Sequence, residues 1–438
     1  MAQSANAWTA SPLCLKEVMH GFAPHTFFLW FIVLASIVCM LVRPWRVPEA
    51  VWISAGAILL VLTRLLSIHS AWHAVTRGTD VYLFLLGMML LAELARHEGV
   101  FDWIADVAVN HANGSAARLF LLIYLTGAVV TALLSNDATA VVLTPAVLAA
   151  VRRANIEPKP YLLTCALVAN AASFILPISN PANLVVYGSH IPALGPWLRL
   201  FLLPSLVSVT VTYLCLRGLS RKTLRNGIHR HEETVPLTPN GRIALAGLLL
   251  AAAALLIASG FGLDLGLPTC AAAVVAVAMV SLRDRSIVRR VLRDVSWSII
   301  PLVAGLFILV EAMTQGGMLQ LAQRALVSLL QAPRIAGALG ASFGVALLSN
   351  LMNNLPVALA AGNVLTHTQA AQPLAHAILI GVDLGPNLSV TGSLATILWL
   401  IALRREKVPI TAGEFLRTGI IVMPAALLMS ILAQLLVG

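Results

Sequence analysis

The sequence predicts an all-α polytopic membrane protein, built as two inverted repeats with about ten transmembrane helices and two re-entrant hairpins. Three observations carry that prediction. Of 438 residues, 59% are hydrophobic and 11% charged, against about half and about a quarter in a soluble domain. Apolar stretches near the ~20 residues that a spanning helix needs recur along the whole chain. The pentapeptide Ala-Leu-Leu-Ser-Asn occurs twice, at 132–136 and 346–350, each time where a long apolar run is broken by polar residues.

The elements follow in order. Residues 1–25 are a mixed N-terminal extension with no basic segment feeding a short apolar core and cleavage site, so the first span is expected to remain in the protein. The first repeat, 26–217, holds apolar spans at 26–43, 49–67 and 80–97, a hairpin at 117–153, a broken helix at 160–188 and a span at 196–217. A basic linker, 218–240, leads to the second repeat, 241–438. Its spans lie at 241–259, 266–282 and 297–314, followed by a hairpin at 335–366, a broken helix at 373–403 and a last span at 411–437. In each hairpin the polar break leaves two arms too short to cross comfortably. Pro177 and Pro181 in one broken helix, and Gly385, Pro386 and Gly392 in the other, open the backbone there. Amphipathic segments near 100–113 and 317–332 precede the hairpins and suit the membrane interface.

Internal duplication is supported by collinear matches. The two Ser-Asn breaks lie 214 residues apart, Glu93 matches Glu311 at 218, and Asn170 matches Asp383 at 213. Loop charge sets the relative orientation, because Lys and Arg in short loops favour the cytoplasm. Arg152, Arg153 and Lys159 follow the first hairpin, whereas 366–373 after the second has no Lys or Arg. Conversely, Arg283, Arg285, Arg289, Arg290 and Arg293 crowd a second-half loop whose counterpart, 65–76, has none. Corresponding loops therefore fall on opposite sides, and both termini are predicted periplasmic.

Composition also excludes functions. The net charge of +10 is dispersed in short clusters between spans, which does not describe a nucleic-acid surface. The five cysteines stand alone, without metal-ligand spacing, so no metal and no cofactor is expected. Walker-type phosphate loops are absent, and no H-E-x-x-H or G-x-S-x-G motif supports an enzyme.

Paired polar breaks at bilayer depth point to a transporter's substrate site, since unwound backbone there must line a cavity or bind something. The first tip reads Ser135-Asn136-Asp137-Ala138-Thr139 and the second Ser349-Asn350-Leu351-Met352-Asn353-Asn354. The broken helices add Ser179, Asn180 and Asn183 in one half and Asp383, Asn387, Ser389, Thr391, Ser393 and Thr396 in the other. Such side chains can cap helix starts or meet an oxygen-rich ligand beside exposed amide groups, and the two roles are compatible. For Asn387, Ser389 and Thr391, satisfying freed carbonyls explains the residue as well as ligand contact does. The candidate substrate contacts are Ser135, Asn136, Thr139, Asn180, Asn183, Ser349, Asn350, Asn353, Asn354, Ser393 and Thr396.

Glu93, Asp137, Glu311 and Asp383 are the acidic residues at membrane depth. An ionisable group there is costly and marks an ion or proton path by default. No Lys or Arg lies in the tips or breaks to pair with them, which suits a carboxyl that carries a proton. Asp137 and Asp383 sit in the breaks and are the candidate proton-coupling residues; Glu93 and Glu311 are expected to tie scaffold helices together or to face an interface. The same lack of basic residues favours a small neutral hydroxyl-bearing solute over a di- or tricarboxylate.

At these residues the chain resembles the ArsB-type arsenite and antimonite efflux permeases of the ion transporter superfamily. The resemblance runs along nearly the whole chain and is densest in Asp383-Leu-Gly-Pro, 392–399, Arg417-Thr-Gly-Ile-Ile, Ser135-Asn-Asp and Met352-Asn-Asn. It implies export of uncharged arsenic(III) and antimony(III) hydroxides from the cytoplasm, across a bacterial inner membrane, in exchange for protons. It further implies an elevator-like motion of hairpins and broken helices against a scaffold, sometimes aided by a soluble ATPase at the cytoplasmic face. Asn136, Asp137, Asn350, Asn353, Asn354 and Asp383 carry over as site residues. Relatives commonly have an acid where this chain has Asn170; if that acid carries protons in the family, the coupling here rests on Asp137 or Asp383, or differs. A carboxylate or sodium/proton transporter of the same superfamily is the alternative. No cysteine falls in a tip or break, so recognition is expected through hydrogen bonds to the hydroxide rather than through thiolates.

Overall fold

In a computed structural model, residues 24–188, 191–225, 236–368 and 372–437 are described. Nearly all of the N-terminal extension, with Cys14, and residues 226–235 of the basic linker, with Arg230, lie outside them. Among the described residues every regular element is helical. The first series is α1 (Pro24–Val42), α2 (Glu49–Leu62), α3 (Ile68–Arg77), α4 (Thr79–His97), α5 (Val100–His111), α6 (Ala116–Leu133), α7 (Thr144–Arg153), α8 (Lys159–Ala171), α9 (Pro181–Tyr187) and α10 (Leu194–Leu219). The second is α11 (Pro239–Gly260), α12 (Gly266–Ser281), α13 (Ser286–Asp294), α14 (Ile299–Met313), α15 (Leu319–Gln331), α16 (Arg334–Met352), α17 (Asn354–Thr366), α18 (Gln372–Leu384), α19 (Leu394–Arg405) and α20 (Ala412–Val437).

The two series match element for element, and they pack reciprocally. Helix α2 lies on α14 while α12 lies on α4; α3 contacts α14 while α13 contacts α4; and α10 pairs with α20. Glycine permits both central contacts. A Cβ on Gly87 of α4 would press on the backbone of Thr269 and Cys270 in α12, and one on Gly305 of α14 would meet Ile53 of α2. Close backbone approach through small residues is the usual way helices associate in lipid, where burial of apolar surface gives little drive. Gly87 and Gly305 are 218 positions apart, as are Glu93 and Glu311.

Seven helical stretches among the described residues, or eight with the bent pair α3/α4 as one, are long and apolar enough to cross a membrane. That is fewer than the ten spans read from the sequence. The reason is physical: α2, α12 and α19 have only 14, 16 and 12 residues, and the broken spans divide their length between α8 and α9 and between α18 and α19. The first arms of the hairpins are also longer than expected, 18 residues in α6 and 19 in α16. Two short helices, α3 and α13, fall in segments that read as loops. In α13 the fully buried Ile287 and Val291, one turn apart amid arginines, fix the inward stripe.

Charged residues concentrate at the helix ends. Glu93 pairs with Arg96 at 2.5 Å, Arg96 with Asp294 at 2.7 Å, and Glu311 with Arg77 at 3.6 Å. The Arg96–Asp294 pair joins α4 to α13 and the Glu311–Arg77 pair joins α14 to α3, so each crosses from one series to the other.

Candidate functional site

The repeated pentapeptide does not occupy equivalent places. Helix α6 ends at Leu133, so Ser135 and Asn136 form the first tip, but α16 runs on to Met352 and turns at Asn353. Asn350 is therefore still helical, with Nδ2 donating to Ala346 O at 2.7 Å. The pentapeptides are 214 apart against 218 for the glycine and glutamate pairs, a slip of four residues or about one helical turn. The true counterpart of Asn136 is Asn354.

Helix starts converge where the tips meet the broken spans, each capped by its own side chain. Asn180 Oδ1 accepts from Ala182 N at 3.0 Å at the head of α9, and Ser393 Oγ from Ala395 N at 3.2 Å at the head of α19. Asn353 Oδ1 accepts from Leu355 N at 3.4 Å at the head of α17, and Ser135 Oγ from Ala138 N at 3.3 Å. Asn353 sits at φ 76°, ψ 151°, a conformation that is essentially glycine's alone and costs a residue with a side chain about 1–3 kcal/mol. In Asn353-Asn354-Leu355-Pro356 the proline enters in the first helical turn of α17, where its missing N–H leaves no helical bond unmade.

Between these tips and helices α1, α2, α4 and α14 lies a cavity of ≈ 50 Å³, lined on one side by Asn136, Asp137, Asn180, Asn353, Asn354 and Ser393. The opposite wall is Met40, Glu49, Leu85, Ile299, Leu302, Val303 and Leu306. One water needs about 10–15 Å³ on this scale, so the space suits roughly four water-sized groups. A second cavity of ≈ 70 Å³ shares Asp137 and leads past Ser135 to Glu93 and Ser296. Asp137 is thus common to both, half-buried, and makes no side-chain hydrogen bond among the described residues.

The sequence-predicted residues divide into two groups. Asn136, Asp137, Asn180, Asn353, Asn354 and Ser393 come together on the first cavity, with Ser135 on the second. Asn136 is 2% exposed and its Oδ1 has no partner. All but one of the others are spent on architecture. Thr139 accepts from Thr131 Oγ1 at 2.8 Å inside the first hairpin. Asn183 Nδ2 donates to Ser173 O at 2.9 Å, clamping the first break. Ser349 Oγ bonds Val345 O at 3.0 Å. Asn350 donates to Gly385 O at 2.8 Å and accepts from Ser389 Oγ at 2.6 Å, fastening hairpin to broken span. Thr396 is buried with its hydroxyl unpartnered, away from either cavity.

Asp383 is fully buried behind the first cavity. Its Oδ1 accepts from Asn180 Nδ2 at 2.6 Å, and its Oδ2 has no partner. Asn170 Nδ2 donates to Asn387 Oδ1 at 3.0 Å and Asn387 Nδ2 to Leu167 O at 3.1 Å, which locks the broken spans where they cross. Sequence reading missed Glu49, which lines the first cavity and pairs with Arg43. At the first turn of a span a carboxylate reads as a favourable helix-start charge, so nothing distinguished it. No Lys or Arg lines either cavity.

A multi-pass helical bundle with a small polar cavity held between hairpin tips and apolar helices is a membrane transporter. The family model described as citrate transporter, CitMHS, matches residues 20–381, and the chain belongs to that family. Arsenical pump membrane proteins are its relatives. One from Escherichia coli is 27% identical over 383 residues, covering 84% of this chain and 88% of its own length, and one from Yersinia enterocolitica is 27% identical over 362, covering 80% and 84%. The fold is that of the YdaH transporter of Alcanivorax borkumensis, whose crystal structure aligns with a TM-score of 0.59 over 94% of this chain and 98% of that one, at 13% identity.

Proposed function

We propose that this transporter exports arsenic(III) and antimony(III) hydroxides from the cytoplasm across a bacterial inner membrane, by proton exchange. One observation carries the reading. The cavity offers neutral donors and acceptors from Asn136, Asn353, Asn354 and Ser393 around a single unpaired carboxyl, Asp137. A trihydroxide has one central atom and three oxygens that both donate and accept, which suits the volume and this mixed lining. The relatives' name supports the cargo. A tricarboxylate, the cargo in the family's description, would meet Asp137 and Glu49 with Arg43 already paired to Glu49, and a buried anion without a cation is strongly disfavoured.

In this reading Asp137 exchanges protons with the cavity, Asp383 holds a second exchangeable proton behind Asn180, and the two never need a metal. Residues 26–217 and 241–438 are two inverted repeats. Their hairpins and broken spans form a mobile unit that carries the cavity past Leu85, Leu302 and Leu306 of the scaffold. A soluble ATPase, where one is present, would dock at the cytoplasmic face.

Arsenite uptake into everted vesicles energised by a proton gradient tests the reading. Accumulation that an uncoupler abolishes is expected. Uptake of citrate in its place, or arsenite uptake that survives the uncoupler, overturns it.

A further inference from the structure

Far from the tips, where α15, α16, α18 and α20 meet, a cavity of ≈ 560 Å³ is lined by Arg334, His376 and Gln434. Gln434 is 2% exposed; its Nε2 lies 3.4 Å from His376 Nδ1, and its Oε1 has no partner. A buried amide oxygen left unbonded costs about 1–3 kcal/mol, so it calls for a donor from outside the chain. Arg334 is the first residue of the 19-residue α16, is exposed, and is in no ion pair among the described residues. Its guanidinium and the free amides of that helix start both favour an anion.

Leu329 of α15 also lines a second, wholly apolar groove of ≈ 450 Å³ that runs along α16 past Gly340, Ala341 and Gly344 toward Met352. Cavity and groove lie along α16 on either side of Leu329, which packs against that helix at Gly337 and Gly340. Arg334 stands at a span's start, which is headgroup depth, and the groove descends from it into the hydrocarbon region.

We propose that this crevice is a binding site for one anionic phospholipid with a hydroxyl-bearing head, of the phosphatidylglycerol type. The phosphate faces Arg334 and the α16 amides, a head hydroxyl donates to Gln434 Oε1, and an acyl chain fills the groove beside Gly344. The lining selects the head. One unpaired cation and no carboxylate match a net negative charge, whereas the ammonium of a zwitterionic head would find no acid to pair with. The site is independent of the cargo assigned above.

Native mass spectrometry of the purified full chain, offered phosphatidylglycerol, phosphatidylethanolamine and phosphatidylcholine at equal concentration, reads the site directly. Preferential retention of phosphatidylglycerol is expected, with Arg334→Gln weakening it about fivefold, the loss of one basic residue facing an anionic head. Gly344→Leu should abolish retention; a Cβ there meets nothing within 4 Å, so the added side chain occupies the groove without disturbing the helices. Equal retention of the three lipids, wild-type retention in either variant, or displacement by an equal concentration of glycerol phosphate would each overturn the proposal.

Discussion

Asn180 Nδ2 donates to Asp383 Oδ1 at 2.6 Å, joining the two broken spans at the place where each leaves the helix. The same amide caps α9 and lines the first cavity. Asn180 therefore stands between the first cavity on one side and a sequestered carboxyl on the other. A change in the proton held by Asp383 alters its demand for that donor, and so the groups that Asn180 can offer to the cavity.

Asp383→Asn tests this contact. The replacement is nearly isosteric and keeps an acceptor for Asn180, so the chain should still fold and insert while gradient-driven arsenite uptake falls to background. Asp383→Leu, by contrast, leaves Asn180 Nδ2 buried without an acceptor, a cost of about 1–3 kcal/mol, read as a lower melting temperature. Uncoupler-sensitive uptake at the wild-type rate in Asp383→Asn removes this carboxyl from coupling.

Asp137 is the unpaired carboxyl on both cavities, and Asp137→Asn should separate binding from coupling. Arsenite should still bind, since an amide replaces an acid among amides, but the dependence of uptake on the pH difference across the membrane should vanish. A variant whose uptake follows the pH difference as the wild type does would show that the proton travels elsewhere.

The helix contacts at Gly87 and Gly305 should be intolerant of bulk. A Cβ at Gly87 would lie 2.7 Å from backbone atoms of Thr269 and Cys270, so even Gly87→Ala forces α4 and α12 apart, and overpacking of this kind costs about 1–3 kcal/mol. Gly218→Ala, where a Cβ meets nothing within 4 Å, is the control. The expected result is a lower melting temperature and less monodisperse protein for the first substitution alone.

Much of this architecture is legible in sequence because the bilayer enforces it: long apolar runs must be helices, and Pro177, Pro181, Gly385 and Pro386 must interrupt them. The site is less legible. Ala-Leu-Leu-Ser-Asn reads identically at 132–136 and 346–350, yet the turn comes at Ser135 in one half and at Asn353 in the other. Whether a polar residue sits in the last helical turn or one turn beyond depends on where the two arms part, which packing against the broken spans decides. Thr139 and Asn183 show the same ambiguity, because a side chain that satisfies freed carbonyls has the composition of one that meets a ligand. Glu49 and the leucines opposite the tips lie far away in the sequence and carry no local mark.

That one-turn slip yields the sharpest contrast between two asparagines. Asn354 lines the cavity and its side-chain amide makes no hydrogen bond with any described residue, whereas Asn350 uses Nδ2 on Ala346 O and Gly385 O and Oδ1 on Ser389. Asn354→Ala should therefore raise the KM for arsenite by about five- to tenfold, the worth of one net hydrogen bond, with little change in melting temperature. Asn350→Ala should do the reverse, lowering the melting temperature as Ser389 and the Gly385 carbonyl lose their partner, and leaving KM unchanged in the protein that remains folded. Measuring both quantities on both variants separates ligand contact from scaffold, and a raised KM in Asn350→Ala at unchanged stability would restore the reading that the repeated pentapeptide first suggested.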